Sequence, residues 1–262
     1  MRIATQRILL IIAVVISEHS LAQDAETLNK KSKEFLINRD VKNAIPLLKQ
    51  AAELGSAEAQ YNLGYCYQQG SEVSQNDSVA NTWLIKSAEQ GYKDAQFKMA
   101  YSYAVGRGIK QDNKQAFYWA LQCAKQKDPD CMFNVIGCYR EGMGVNKNSD
   151  SMLTWAIRLG SLEDLEDLKQ SANITAARLN LAKMYRDGDK VPVDLTKSYM
   201  WYLIYNESKR DFSILEQQTQ IDAIKELETK LTASSRQLAK ENAEKLLKRV
   251  LKNFSNLYIQ AF

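Results

Sequence analysis

Glycines recur at a constant spacing along this chain, and that spacing constrains its fold more than any other feature. Gly70, Gly106 and Gly142 follow one another at steps of 36 residues. Each comes after an apolar stripe of helical period, in the position of a residue that ends a helix in the left-handed conformation. A second helical stripe follows each glycine, so one repeat is a pair of helices. Because neither helix can bury its apolar stripe alone, the pairs must stack.

Other columns, meaning residues that hold the same position in successive repeats, share this step. They are tyrosines, tryptophans, small residues suited to a close helix crossing, and Asn or Asp residues able to cap a helix. The columns are Tyr67, Tyr103, Tyr139 and Tyr185; Trp83, Trp119, Trp155 and Trp201; Ala44, Ala80 and Ala116; and Asp40, Asn76, Asp112, Asn148 and Asp194. Because the tryptophans keep one helical phase, we interpret them as interhelical core rather than as sugar-stacking platforms. The columns predict an all-α solenoid of helix-turn-helix repeats.

The columns divide the chain into about five repeats and a different C-terminal segment. The repeats are predicted at about residues 23–55, 56–91, 92–127, 128–160 and 173–208. Gly188 lies 46 residues after Gly142, which places an insertion at 161–172. Its leucines recur every three residues and suggest an extra helical turn or two; we interpret the insertion as a loop-length variant, with a binding lip as the alternative. Residues 209–262 are predicted to form a C-terminal helical capping segment. Its two helices are expected at 214–231 and 235–251.

Residues 1–22 are predicted to be a secretory signal peptide. They begin with the basic residues Arg2 and Arg7, continue with an apolar core, and end in a small-residue cleavage site before Gln23. The apolar core is shorter than the ~20 residues that a spanning helix needs, so a membrane anchor is the less favoured alternative. We therefore expect a periplasmic or secreted protein with no transmembrane segment after cleavage.

Cleavage would remove the single histidine of the chain, His19. A mature chain without imidazole excludes Ser-His-Asp and Cys-His catalysis as well as histidine-ligated zinc. The carboxylates of the insertion, among them Glu163 and Asp164, lie in a charged run that we interpret as solvated surface. No catalytic residue, metal or cofactor is predicted. The net charge of +4 is nearly balanced and does not indicate a nucleic-acid partner.

The amino-acid sequence pattern of the repeats resembles the Sel1-like repeat, a relative of the tetratricopeptide repeat. The resemblance is carried by AQYNLGYCYQQG and NDSVANTWLIKSAEQG in the second repeat, and by AQFKMAYSYAVGRGIKQDNKQAFYWALQCA in the third. It covers about residues 41–208, and the stretch IKELETKLTASSRQLAKENA resembles the capping segment that often follows such arrays. The resemblance implies a right-handed α/α superhelix whose inner surface holds proteins or peptides. It implies an adaptor or scaffold rather than a catalyst, and the signal peptide would make this chain a secreted bacterial member.

A ligand binder or hydrolase is the alternative function. Relatives in the cysteine-rich branch of these repeat proteins are associated with penicillin binding, which implies a binder or hydrolase of cell-wall or β-lactam-like compounds. The sequence contains no Ser-x-x-Lys motif with its partner motifs.

The four cysteines are predicted to form one disulfide and leave two thiols. Cys123 ends the second helix of one repeat and Cys131 begins the first helix of the next, a separation that brings the two within reach of a bond. The resemblance points to the same pair, because cysteine-rich relatives carry one at this spacing. Cys66 and Cys138 occupy the same helix position two repeats apart, too far to pair, and are predicted to be buried thiols that pack as small hydrophobic groups.

The first helices of the repeats are expected to line the inner face of such a superhelix and to supply its binding groove. The candidate groove residues are Tyr61, Asn62, Phe97, Lys98, Phe133, Asn134 and Asn180. Asn and Lys side chains in a row can hold an extended peptide by its backbone amides or its C-terminal carboxylate, and aromatic neighbours add apolar anchors. In the alternative, each asparagine bonds a neighbouring turn. We expect a monomer whose partner is a protein or peptide that the sequence does not identify.

Overall fold

The structure is a computed structural model that describes the backbone of residues 2–166, 168–208, 214–254 and 257, and the side chains of all of these except 2–19, 168–170 and 214–217. Within these ranges the regular secondary structure is helical. The chain forms two compact units, unit one (Met1–Gln126) and unit two (Lys127–Phe262). Within each unit, the helices of the repeats pack against their neighbours in the sequence, and the last helix of the chain packs against the final repeat helix. The all-α repeat solenoid predicted from the columns is confirmed.

Unit one contains the first repeats. Its helices are α1 (Arg2–Ile37), α2 (Val41–Glu53), α3 (Ala57–Gln69), α4 (Asp77–Glu89), α5 (Lys93–Val105) and α6 (Asn113–Lys125). The signal peptide predicted at residues 1–22 falls on the start of α1, where most side chains lie outside the described residues, and it stays a prediction. Among the residues described, no helix combines the length and the apolar character needed to cross a membrane.

Unit two contains the later repeats and the C-terminal segment. Its helices are α7 (Pro129–Glu141), α8 (Ser149–Gly160), α9 (Leu168–Asp187), α10 (Leu195–Asn206), α11 (Ile214–Lys230) and α12 (Ala233–Leu247). The end of the last helix was predicted four residues too late, because Lys248 takes a left-handed backbone with φ of 54° and ends it, and its start was predicted two residues too late. Thr232 caps its start by accepting a hydrogen bond from the backbone N–H of Ser235.

Residues at the helix ends behave as the columns predict. Gly70, Gly106 and Gly142 end α3, α5 and α7 with φ of 72°, 74° and 78°. This left-handed conformation is costly for side chains with a Cβ and easy for glycine. The capping residues Asn76 and Asp194 accept a hydrogen bond from a backbone N–H in the first turn of α4 and α10.

Tryptophans of the repeated column pack as predicted in three of four positions. Trp119, Trp155 and Trp201 are buried core residues. Trp83 is half-buried instead, and the ammonium group of Lys86 lies 4.5 Å from its ring centroid.

Buried glutamines fasten successive repeats of unit one to one another. Gln60 donates from Nε2 to the backbone carbonyl of Ala52 at 3.0 Å and accepts from Nε2 of Gln90 at 2.8 Å. Gln96 makes the same two bonds one repeat later, at 3.1 and 2.9 Å. Each amide therefore joins a helix end to the following repeat without leaving a buried polar group unpaired.

The insertion at 161–172 divides into a loop and added helix. Residues 163–165 have no regular structure, and α9 begins at Leu168. This helix has 20 residues, whereas α7 has 13. The additional length amounts to about two helical turns, as the leucine pattern suggested.

One arginine holds the loop of the insertion in place. The side chain of Arg178 is 1% exposed and pairs with Asp164 at 2.7 Å. It also donates to the carbonyls of Gly160 (2.9 Å) and Leu162 (2.6 Å) and to the hydroxyl of Ser208 (2.8 Å). Burial lowers the pKa of this guanidinium, and the Asp164 carboxylate acts in the opposite direction. The prediction of a solvated Asp164 is wrong, because the pairing arginine comes from the following helix.

A buried carboxylate attaches the end of the chain to α10. The side chain of Glu207 is 2% exposed and accepts from Nη1 of Arg249 at 2.6 Å. It also accepts from the backbone N–H groups of Lys252 and Asn253. The segment after α12 therefore folds back onto the C-terminal end of α10. Leu257 is buried in the hydrophobic core that also contains Tyr199 and Trp201 of α10.

Candidate functional site

Unit two contains a pocket of about 330 Å³ formed by α7, α8, α9 and the loop that follows α9. Its walls are apolar and its rim is charged. The apolar residues are Phe133, Ile136, Met152, Ala156, Ala177 and Met184. The polar and charged residues are Arg140, Asn180, Lys183, Asp187, Asp189 and Lys190. An apolar cavity with a few polar groups around its mouth is the usual form of a binding site.

Gly137 lies in α7 on the wall of this pocket, which we call the Gly137 pocket. It belongs to the column that holds Tyr65 and Tyr101 in unit one, where these side chains are 43% and 51% exposed. A Cβ added at Gly137 would meet no atom within 4 Å. The pocket is therefore open where the preceding repeats carry a tyrosine ring.

Other glycines inside helices are tightly packed. A Cβ at Gly64 would lie 2.8 Å from Cγ of Leu84, and one at Gly160 would lie 2.9 Å from the ring of Trp201. Packing explains glycine at those two positions but not at Gly137. A glycine in a helix interior costs roughly 0.5–1 kcal/mol relative to alanine. At Gly137 no close packing contact requires a glycine, so packing does not explain this cost.

The rim of the pocket carries an excess of positive charge. Asp187 is bound by both Nε and Nη2 of Arg186, at 2.7 and 2.9 Å, and this hydrogen bonding lowers its pKa. The side chains of Lys183 and Lys190 are exposed, and neither has an ion-pair partner within 4.0 Å among the described residues. Asp189 is the remaining acidic residue of the rim.

A second cavity of about 300 Å³ adjoins the first, and we call it the basic cavity. The two share Arg140, Met152 and Lys190, and the basic cavity adds Lys147. Its one carboxylate, Glu141, accepts a 2.7 Å hydrogen bond from Nε of Arg140. That bond lowers the pKa of Glu141, and the charges of Lys147 and Lys190 lower it further. An apolar pocket thus adjoins a cation-rich cavity.

Two of the predicted groove residues in unit two line the Gly137 pocket. Phe133 on α7 and Asn180 on α9 are both exposed at its wall. Asn134 is also exposed but is absent from the lining, because it is displaced around α7 from Phe133. Sequence reasoning missed Gly137 and the rim cations, although the change from Tyr65 and Tyr101 to Gly137 at one repeat position is visible in the sequence.

The predicted groove residues in unit one have aromatic and half-buried surroundings. The ring of Tyr61 lies 5.1 Å from that of Tyr92. Burial and the nearby Asp94 carboxylate raise the pKa of Tyr61 to about 12. The Lys98 ammonium lies 5.4 Å from the centroid of the exposed Tyr65 ring. Asn62 and Phe97 are half-buried.

The cysteines divide into bonded and free pairs. Cys123 and Cys131 are disulfide-bonded, as the sequence predicts, and offer no thiolate to a metal ion. Cys66 and Cys138 are free thiols. Cys66 is buried, whereas Cys138 is half-buried, and burial raises the pKa of both thiols. A raised pKa keeps them in the unreactive thiol form.

Comparisons with known proteins identify the repeats. The Sel1 repeat model matches residues 34–56, 57–92, 93–128 and 175–204. The matched segments leave out α7 and α8, the repeat that contains Gly137 and Met152. This repeat nevertheless forms the same pair of helices, so the Gly137 pocket is built in part from the repeat that departs from the family pattern.

Two solved structures align with this chain. A Sel1 repeat protein from Oxalobacter formigenes aligns with a TM-score of 0.62 at 24% identity, over 85% of this chain and 88% of that chain. The protein c5321, described as a protective antigen of uropathogenic Escherichia coli with an SLR fold, aligns with a TM-score of 0.42 at 21% identity, over 91% of this chain and 57% of that one. The first likeness shows a shared fold. No curated protein matches this chain.

Proposed function

The chain is a Sel1 repeat protein, and from that premise we propose that it is an exported, non-catalytic scaffold that binds another protein or a peptide. Proteins of this family are generally protein-interaction scaffolds. The observation that carries the proposal is the Gly137 pocket, whose walls include Phe133 on α7 and Asn180 on α9. Both belong to first helices of their repeats, which are the binding elements expected from the sequence.

The composition of the pocket supports protein binding. Anchoring side chains at protein interfaces enter apolar, largely dry pockets surrounded by polar groups. Phe133 and Met184 supply apolar contact area, and the amide of Asn180 can bond a backbone group of an extended segment. No lining residue is a serine or cysteine, so the Gly137 pocket lends nothing to the hydrolase alternative.

The candidate residues outside the pocket are assigned to the same function. In unit one, Lys98 beside the exposed ring of Tyr65 offers a cation and an aromatic face to a partner. Tyr61, Asn62 and Phe97 contribute half-buried surface on the same helices. Asn134 offers an exposed amide on α7.

Export is proposed from the signal peptide and the disulfide. Disulfides persist in oxidising compartments and are rare in the cytoplasm. Mass spectrometry of the protein isolated from its native host should give a mature N-terminus at Gln23. Alkylation of the unfolded, unreduced protein should label Cys66 and Cys138 only. A chain that retains residues 1–22, or one in which Cys123 and Cys131 are labelled before reduction, contradicts export.

Site-specific photocrosslinking in intact cells tests the binding function. A photoreactive residue at Phe133 or Lys98 should capture an identifiable protein, because each position lies on the candidate binding surface of its own unit. A probe at the exposed Lys49 on α2 is the matched control and should capture nothing specific. The substitution Asn180→Ala should weaken capture from Phe133.

The C-terminal cap is the competing location for the binding surface. A third probe at Lys245, exposed on α12, reports on that region. Capture from Lys245 without capture from Phe133 or Lys98 would move the interaction to the cap and overturn the assignment to the first helices.

A further inference from the structure

We propose that the partner presents an acidic segment with one medium-sized apolar side chain, which enters the Gly137 pocket while neighbouring carboxylates occupy the basic cavity. This inference rests on the proposed function and specifies the chemistry of the partner. It follows from three features of unit two: an unexplained glycine, the size of the apolar pocket and the distribution of charge around it.

The glycine shows that the pocket is kept open at a cost. Alanine at position 137 would fit without any contact closer than 4 Å and would favour the helix. Tyrosine is the residue of this column at Tyr65 and Tyr101, so the repeat frame accommodates a ring there. Departures from a local rule such as helix propensity are expected at functional or strained sites. An occupant that needs the empty space accounts for Gly137.

The dimensions and lining of the pocket fit one side chain. A volume of about 330 Å³ is at the small end of the range for ligand pockets, roughly 300–1,000 Å³. Met152 and Met184 lie in its walls, and flexible thioethers adapt to apolar groups of different shapes. Leucine, methionine and phenylalanine are the residues of suitable size and polarity.

The charges determine what accompanies that side chain. Glu141 and Asp187 are already bound by Arg140 and Arg186. The other cations of the two cavities, Lys147, Lys183 and Lys190, are exposed, against a single remaining carboxylate, Asp189. Carboxylates of a partner would gain from this surplus, and a basic segment would be repelled.

The shared lining of the two cavities also limits how far apart the two groups can lie in the partner. The apolar pocket and the basic cavity share Arg140, Met152 and Lys190, so an apolar residue and an acidic residue close to it in sequence can reach both at once. An extended peptide rises about 3.3 Å per residue, which places its neighbours within this reach. The site is therefore complementary to a short extended segment that contains both an apolar residue and acidic residues.

The chain itself contains a segment of related composition. Leu165 is 37% exposed in the insertion and lies between the exposed Glu163 and Glu166. A second copy of the protein is therefore the competing occupant. Such a contact would join different surfaces of the two copies and would produce a ring or an open filament. We commit to a different protein as the occupant and use self-association as an outcome of the test.

Three peptides of nine residues serve as probes for the full-length mature protein. The first has a central leucine with two glutamates on each side; the second has alanine in place of leucine; the third has lysines in place of the glutamates. Fluorescence anisotropy at low salt should show the first binding at least ten-fold more tightly than either of the others. Added salt should weaken the first selectively, because exposed charges are screened.

Two sets of variants place the binding at the pocket. Gly137→Tyr fills the pocket with the residue of its own column and should reduce binding of the first peptide at least ten-fold. The double charge reversal Lys147→Glu with Lys190→Glu should do the same, whereas the matched control Lys49→Glu with Lys110→Glu in unit one should leave binding unchanged. Circular dichroism checks that each variant folds. If a variant does not fold, the comparison of the three peptides on the unaltered protein still tests the proposal.

Several outcomes overturn the inference. It fails if the three peptides bind equally, or if a folded Gly137→Tyr variant binds the first peptide as well as the unaltered protein does. It also fails if sedimentation velocity shows self-association that Leu165→Ser abolishes, since the occupant is then a second copy. If the peptides do not discriminate but Gly137→Tyr still abolishes capture from Phe133, the chemistry assigned here is wrong and the scaffold function stands. Loss of capture from both Phe133 and Lys98 removes the scaffold function at these helices instead.

Discussion

The same positions of the repeat are filled in opposite ways in the two units. Where unit one has the buried amides of Gln60 and Gln96, unit two has the guanidinium of Arg178 in the same column. Where unit one has the exposed rings of Tyr65 and Tyr101, unit two has Gly137. One repeat frame therefore tolerates two different departures, one that secures an insertion and one that opens a pocket.

The column of Arg178 shows how the departure keeps the polar groups paired. Gln96 bonds the carbonyl at the end of the preceding repeat, and Arg178 makes the equivalent bond to the carbonyl of Gly160. The longer side chain then reaches the loop as well, through Leu162 and Asp164. At Arg178 the chain thus relies on a buried charge where unit one relies on neutral amides, whereas Met132 holds the same column position in α7.

Replacing Arg178 by glutamine should have the largest effect. Arg178→Gln restores the residue of unit one but removes the guanidinium that pairs with the nearly buried carboxylate of Asp164. Breaking a buried ion pair in this way costs about 3–5 kcal/mol, which urea denaturation would measure as a loss in the free energy of unfolding. The control Arg107→Gln removes a half-exposed pair with Asp77 and should cost less than about 1 kcal/mol. Equal losses in the two variants would contradict the contrast between the units.

Neutralising Glu207 should have the next largest effect. In Glu207→Gln the side chain keeps its shape but loses the charge that binds Arg249 and the backbone N–H groups of Lys252 and Asn253. Hydrogen bonds to charged groups are worth about 1.5–3 kcal/mol, so we expect a loss of about 2 kcal/mol. Limited proteolysis should then cleave the chain after α12 sooner. Unchanged protection there would mean that apolar burial of Leu257 is sufficient to hold the segment.

Alanine at two helical glycines should act with opposite signs. Gly64→Ala places a Cβ 2.8 Å from Leu84 and should destabilise the protein by about 1–3 kcal/mol, as overpacking does. Gly137→Ala meets nothing within 4 Å and should stabilise it by about 0.5–1 kcal/mol. Thermal unfolding of both variants gives the two signs directly. A destabilising Gly137→Ala would remove the argument that this glycine serves the pocket.

The last prediction concerns the loss of stability at alkaline pH. Burial raises the pKa of Tyr61 to about 12 from a usual value near 10, so the folded state holds this proton more tightly than the unfolded state does. The stabilisation is complete below pH 10 and is lost as the pH rises from 10 towards 12. Absorbance titration should show a late tyrosinate step that Tyr61→Phe removes. The exposed control Tyr118→Phe should retain that step.

The periodic sequence pattern was sufficient to predict the fold because each signal that starts or ends a helix is local. Helix ends depend on Gly70 or Asn76 and on the few residues around them, and these can be read along the chain. In the same way, the sequence shows Gly137 at the repeat position that Tyr65 and Tyr101 occupy in unit one, although this change was not singled out as a candidate site. What periodicity does not contain is the size of the space that remains when the ring is absent, since this depends on Met152 and Met184 from two other helices.

The insertion was misread for a related reason. A run of alternating leucines and carboxylates has the composition of solvated surface, and Asp164 by itself gives no sign of burial. Its environment is set by Arg178, 14 residues away in sequence, after the chain has turned back along α9. A partner that becomes adjacent only through folding cannot be identified from spacing alone.

Arg178 also makes the end of α8 a place where the length of a repeat can change. One side chain bonds the last carbonyl of the helix, a carbonyl and a carboxylate of the loop, and a hydroxyl at the end of the next repeat. The chain can leave the repeat frame and return to it with its polar groups satisfied on both sides. For protein engineering, this arginine and its aspartate mark an insertion site. A loop of chosen sequence can be inserted there into a helical array without redesign of the flanking repeats.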